Sequence, residues 1–200
     1  MDAPLPSNPV PMFPLGRVFL FPHQVLPLHV FEPRYRRMVE DLLDGPGRLV
    51  IGTIPEGQSE TPERQPEVLP VAGLGEILRH ERLADGRFMI WVLGLQRACI
   101  AEAPSDRPYR RVTCTVFAET DVAEAERDDL VRELRAATSA RLQEPLPLPE
   151  SAPPALLTDL LLQTLRAPAQ VIATAFAEPS VARRARYVLA QARHAPPPEA

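Results

Sequence analysis

Apolar residues alternate with polar ones, or gather in short runs, through roughly the first 119 positions. Beyond residue 119 they recur at three- and four-residue intervals. The first pattern is that of half-buried strands and the second that of helices packed by one face. The chain is therefore expected to carry a loose leader at 1–9, a β-rich subdomain at 10–119 and a helical subdomain at 120–194. A disordered tail follows at 195–200.

In the front part, runs at 12–20 and 25–31 are broken by Pro14, Pro22 and Pro27. Leu26, Leu28 and Val30 alternate with Pro27 and His29, as in a strand with one face buried, and the prolines push these strands to edges or bends. The spacing predicts a strand, a corner at Leu15-Gly16 and a second strand. A helix follows over 33–44, with Pro33 at its first position and Tyr35, Met38, Val39 and Leu42 on one face. Gly45 and Pro46 end it. Residues 48–54 read as a strand and 55–67 as a mobile loop. Strands at 75–83 and 87–94 flank Asp85-Gly86, which is hairpin turn chemistry. Gly94 marks a further corner into a strand at 96–103. The last strand spans 109–119, with Val112, Cys114 and Val116 on one face. About six short strands joined by tight turns favour a small, partly closed barrel, because closure removes exposed edges.

In the back part a long helix spans 122–142, with Leu130, Val131, Leu134 and Leu142 turned inward and acidic residues in its first turns. A proline-rich connector at 145–154 leads to shorter helices at 153–165, 168–177 and 179–193. Pro168 and Pro179 suit first turns, and Val181, Ala185, Val188 and Leu189 form the apolar face of the last helix.

Composition narrows the chemistry. The 200 residues include 25 prolines and no lysine, so all 22 basic side chains are arginine. A phosphate-binding P-loop, a Ser-Lys dyad and a Schiff base each require a lysine amine and are excluded. The net charge of −4 argues against a nucleic-acid partner. Two cysteines, Cys99 and Cys114, are too few for a secreted disulfide framework and read as free buried thiols. No signal peptide or membrane-length apolar run is visible, and a cytoplasmic protein without a membrane partner is expected. The four histidines lack helical metal-site spacing, and no Gly-x-Ser-x-Gly elbow is present. No catalytic residue, metal site or cofactor is expected.

Three motifs carry a family resemblance. Met12-Phe-Pro-Leu-Gly16 is followed by Val18-Phe-Leu-Phe-Pro22, and then by Leu26-Pro-Leu-His-Val-Phe-Glu-Pro-Arg-Tyr35. This order resembles the opening of the Lon protease N-terminal, or substrate-binding, domain. Residues 73–82 with Asp85-Gly-Arg-Phe88 resemble that family's central hairpin, and Gly94-Leu-Gln-Arg97 its next strand. Ala98 stands where relatives often carry an aromatic. The resemblance covers about residues 10–193. It implies an α+β fold: a PUA-like small β-barrel of about six strands with one or two helices, followed by a C-terminal helical bundle. It also implies a non-catalytic polypeptide-binding role, as an adaptor in protein quality control. The ATPase and peptidase domains of complete Lon proteases are not in these 200 residues.

The expected partners are unfolded or flexible polypeptides, a full-length Lon protease and, as a homodimer, a second copy. Phe13, Phe21, Leu26, Leu28 and Phe31 are the candidate peptide-binding residues, set against the alternative that most of them fill the core. Glu32, Pro33, Arg34, Tyr35, Gly94 and Arg97 are read as structural motif positions. The alternatives are an RNA- or small-ligand-binding module and a simple interaction protein. Arg34, Arg36 and Arg37, with Arg183, Arg184 and Arg186, are the basic clusters the RNA alternative would use. Otherwise they are helix faces paired with Glu40, Asp41 and the acidic 119–133 segment.

Overall fold

A computed structural model describes residues 4–58 and 65–195. The described chain divides into two compact units, Met1–Phe117 and Ala118–Ala200. Parts of the expected leader, of the 55–67 loop and nearly all of the expected tail lie outside the described residues.

The first unit is a mixed sheet of six strands with one helix: β1 (Val10–Gly16), β2 (Val25–Val30), α1 (Pro33–Leu43), β3 (Arg48–Ile54), β4 (Val71–Arg82), β5 (Phe88–Ala103) and β6 (Arg111–Val116). Only the β1–β3 pair is parallel. Such a pair needs a crossover, supplied here by β2 and α1. The strand order is β2-β5-β4-β3-β1-β6, and β6 also pairs with β5. Hydrogen bonding therefore runs from β5 through β4, β3, β1 and β6 back to β5. Among the described residues, β2 alone has a single partner strand.

Closure depends on the length of β5. Its first half pairs with β2 and its second half with β6, while β4 runs beside both. The corner expected at Gly94 is instead a bulge within one continuous strand. Gly75 faces Gly94 while Leu74 faces Gln96, so Leu95 is the extra residue. A bulge bends a strand without ending it, which lets β5 change partners.

β3 is buried along nearly its whole length, and its two faces serve two cores. Leu49 and Ile51 join Phe13, Tyr35, Met38, Val39, Phe88, Ile90 and Val92 under α1. Val50 joins Met12, Ala72, Leu74 and Val112 on the other side. α1 starts as read, with Pro33 in its first turn and Tyr35, Met38, Val39 and Leu42 buried.

Between β1 and β2 the chain runs without strand pairing, entered and left through left-handed residues Arg17 (φ 60°) and His23 (φ 65°). Leu20 and Phe21 in this crossing segment are buried. The segment lies so close to the sheet that three facing positions are glycine. A methyl at Gly73 would stand 2.7 Å from Leu20 Cβ, and one at Gly75 2.7 Å from Leu20 Cδ2. At Gly94 it would stand 2.9 Å from the Phe21 carbonyl carbon and nearer still to its oxygen.

The second unit contains α2 (Glu124–Leu142), α3 (Pro154–Thr164), α4 (Ala169–Phe176) and α5 (Val181–His194). α2 buries Leu130, Leu134 and Thr138. Leu142, read as inward, is exposed, while its neighbour Arg141 reaches the Thr164 carbonyl at the end of α3 at 3.3 Å. Pro179 precedes α5 rather than entering it. Ser180 is the cap, its hydroxyl accepting from the Arg183 N–H at 3.3 Å. Val181, Ala185, Val188 and Leu189 are buried as read, and so is Arg184. The Arg184 guanidinium reaches Glu119 at 2.7 Å, the Glu178 carbonyl at 2.9 Å and Asp159 at 3.6 Å. A single cation thus joins α3, α5 and the stretch preceding α2.

Candidate functional site

Alternation along β2 and β5 sorts their side chains onto two faces. Val30, Phe88, Ile90 and Val92 turn into the core, with Leu26 and Leu28 packed against it. Their neighbours turn out. Val25 opposes Leu93, Pro27 opposes Trp91 and His29 opposes Met89. Directly opposed side chains share a face and lie about 5 Å apart, so these six form one continuous outer surface. Val25 is 43% exposed, and Phe31, just past the end of β2, is 60% exposed. The Phe31 and His29 rings are 6.0 Å apart. Trp91, the single tryptophan, is half-buried under the guanidinium of Arg79, 4.8 Å from its ring centre. The surface is thus apolar and aromatic, with a cation over the centre and an edge strand along one side.

The candidates from sequence divide on this geometry. Phe13 and Phe21 are core residues. Phe13 stacks 4.4 Å from Tyr35, and Phe21 lies under the guanidinium of Arg97 at 5.7 Å. Neither can touch a partner from where it sits, because tertiary contacts cover both. Leu26 and Leu28 are half-buried on the inner face. Phe31 alone of the five stands open to solvent. Met89, Trp91 and Leu93, which are not among the sequence candidates, share this outer face. Their signal is the strict alternation of 88–93, which puts every second side chain outside once its partners are known to face the core.

The motif residues hold the β2–α1 junction. Glu32 is the N-cap residue, and its carbonyl accepts from Tyr35 at 3.0 Å and Arg36 at 2.9 Å. Its carboxylate takes the Arg34 guanidinium at 3.0 Å rather than capping the helix. Arg34 also lies over the Tyr35 ring at 4.6 Å. These contacts fix the direction in which Phe31 leaves the strand.

Acids meet both basic clusters. Arg37 pairs with Asp41 at 2.9 Å, Arg183 with Glu178 at 3.0 Å, and Arg186 with Glu126. Cys99 and Cys114 are free thiols on neighbouring strands, and burial pushes the Cys114 thiol up to about 11. Among the described residues, no group of three or more His, Cys, Asp or Glu side chains could hold a metal ion, and no helix is long and apolar enough to cross a membrane.

Comparison with known proteins agrees with this fold. In solved structures, the N-terminal domain of a Mycobacterium avium complex Lon protease superposes with a TM-score of 0.70 at 18% identity, over 93% of this chain and 98% of that one. A Lon N-terminal domain protein from Xanthomonas campestris gives 0.65 at 19% identity, over 92% and 98%. In sequence, Lon protease 2 of Sorangium cellulosum is 32% identical over 133 residues, 66% of this chain. Lon protease of Escherichia coli is 26% identical over 151 residues, 76% of this chain. The chain spans only 16% and 19% of the length of those two relatives. The family model of the ATP-dependent protease La (LON) substrate-binding domain matches residues 9–191, and the chain belongs to that family.

Proposed function

We propose that this chain binds unfolded or flexible polypeptide, without cleaving it, at the outer face shared by β2 and β5 and along the open edge of β2. The observation that carries the reading is the coincidence of two features in one place. The edge strand offers backbone groups to an added strand. Beside it, Val25, Trp91, Leu93 and Phe31 offer apolar contact to alternate side chains of that strand. An extended apolar segment satisfies both, and a folded protein, whose apolar segments are buried, satisfies neither. Pro27 removes one donor from β2, which limits self-association through the same edge. The family's description as a substrate-binding domain supports the polypeptide as the class of ligand. The arginine clusters give no support to an RNA reading, since acidic side chains engage them.

Fluorescence anisotropy of a labelled, permanently unfolded polypeptide tests the reading, with the folded form of the same protein as control. The expected result is saturable binding to the unfolded form only. Trp91→Ala and Phe31→Ser should each weaken it about tenfold while the circular dichroism spectrum stays unchanged. Equal binding by both variants and the parent would refute the site. Cleavage of the probe on prolonged incubation would refute the non-catalytic part.

A further inference from the structure

A second concavity lies in the same unit, built from other elements. The leader at 6–9, the start of β1, the end of α1, the start of β3 and the β5–β6 connection line an open cavity of about 420 Å³. That volume is within the range of small-molecule sites, roughly 300–1,000 Å³. Its charged lining is Arg48, Arg107, Arg111 and Asp41, with the Tyr109 hydroxyl among them. Three cations against one anion is a local excess of two positive charges, in a chain whose net charge is −4.

The single carboxylate is over-subscribed. Asp41 accepts from the Tyr109 hydroxyl at 2.8 Å and from Arg107 at 3.3 Å, and pairs with Arg37 at 2.9 Å. Among the described residues, the other acidic partner of Arg107 is the exposed Asp106, at 3.7 Å. Arg48 divides its donors between Glu76, outside the cavity, at 3.3 Å and the Pro4 carbonyl at 2.9 Å. Arg111 donates to the Pro9 carbonyl, a neutral acceptor. A guanidinium carries five N–H donors, so these bonds leave donors over on each side chain. Leu42 and the leader prolines supply apolar wall, which raises the value of a charge-assisted bond formed inside.

We infer that this cavity binds a compact oxyanion, a carboxylate or phosphate group carried by a small molecule, between the guanidiniums of Arg107 and Arg111 with Arg48 beside them. The planar fork of arginine matches either group in two parallel bonds. Because two of the three cations also tether the leader through its carbonyls, an incoming anion competes with Pro4 and Pro9, and binding should be felt in the leader. The site shares no residue with the β2–β5 face and stands or falls independently of it.

The test is titration of the full chain with inorganic phosphate and, separately, with citrate. It is followed by amide chemical shifts at constant ionic strength, with chloride as the reference salt. Saturable shifts of Asn8, Gly45 and Tyr109 are expected with at least one of the two, and the identity of that one separates phosphate from carboxylate. Arg107→Gln should weaken binding about tenfold, since it removes a charged donor. Arg132→Gln, an exposed change in α2, should leave binding as it is. Arg111→Gln should act like Arg107→Gln. If loss of the Pro9 tether unfolds it, the half-exposed Arg107 variant still decides the matter. Shifts indistinguishable from those in chloride, or saturable binding that Arg107→Gln leaves unchanged, would overturn the assignment.

Discussion

Replacing Gly94 with alanine adds one methyl group to a position where the crossing segment touches the sheet. The new carbon would stand 2.9 Å from the Phe21 carbonyl carbon and 3.2 Å from Leu20 Cγ. Carbon atoms prefer about 3.5–4.0 Å, so the segment must retreat by about 1 Å. It is not free to do so. His23 donates to the Gly94 carbonyl at 2.8 Å, and the Gly94 N–H donates to the Gln24 carbonyl at 2.8 Å. Overpacking of this kind costs about 1–3 kcal/mol, and each strained backbone bond about 1 kcal/mol more. The expected loss is thus about 3–5 kcal/mol, a large part of the roughly 5–15 kcal/mol that holds a domain together. Trp91, the only tryptophan, lies three residues away on the same strand and reports unfolding of this unit by fluorescence in urea. With a slope of about 2 kcal/mol per molar, the midpoint should fall by about 1.5–2.5 M. Gly16→Ala is the control: no atom lies within 4 Å of its added methyl, and its stability should stay within about 0.5 kcal/mol of the parent. Equal midpoints for the two variants would refute the close approach. Gly94 is absent from the residues of positive φ, so its glycine is required by space and not by backbone conformation.

Three further outcomes follow from the same contacts. Phe21→Ala should destabilise the first unit by about 3–5 kcal/mol, as for a buried aromatic, whereas Phe31→Ser should change the urea midpoint little; comparable losses would mean that the burial assignments are wrong. Arg184→Ala removes the buried cation that joins Glu119, the Glu178 carbonyl and Asp159 and should cost the helical unit about 3–5 kcal/mol, read as a lower melting temperature at 222 nm, and a loss below about 1 kcal/mol would remove these bonds from the account. Burial, with the Asp41 carboxylate, pushes the Tyr109 hydroxyl up to about 12 from 10; the folded state then keeps a proton that the unfolded state has lost, so stability is full below pH 10 and falls as pH rises towards 12. That fall should reach at most about 2 kcal/mol, since the hydroxyl faces a cavity open to solvent, and Tyr109→Phe should abolish it in urea titrations at pH 9 and pH 11.5.

Local rules carried much of the fold. Period and punctuation alone placed α1, with Pro33 first and its four apolar residues inward, and β3 over residues 48–54. They also placed the Asp85-Gly86 turn and the four helices of the second unit. Those signals are local, because a helix or strand must present its apolar side chains at its own period whatever lies opposite. Other features depended on what lies opposite. Gly94 reads equally as a corner or as a close approach, and only the path of residues 18–21 across the sheet decides between them. Phe13, Phe21 and Phe31 are the same residue type in similar runs, yet two are core and one is surface, since burial is a property of the partner and not of the side chain. The outer face of Val25, Trp91 and Leu93 arises only when β2 pairs with β5 in one particular register, because a shift of one residue would turn that set inward. The arginine-lined cavity draws on residues 41, 48, 107 and 111, which no sequence spacing connects. Chain order and periodicity thus determined which segments form and which side of each is apolar, while the pairing of distant segments decided which apolar and charged groups were left facing solvent.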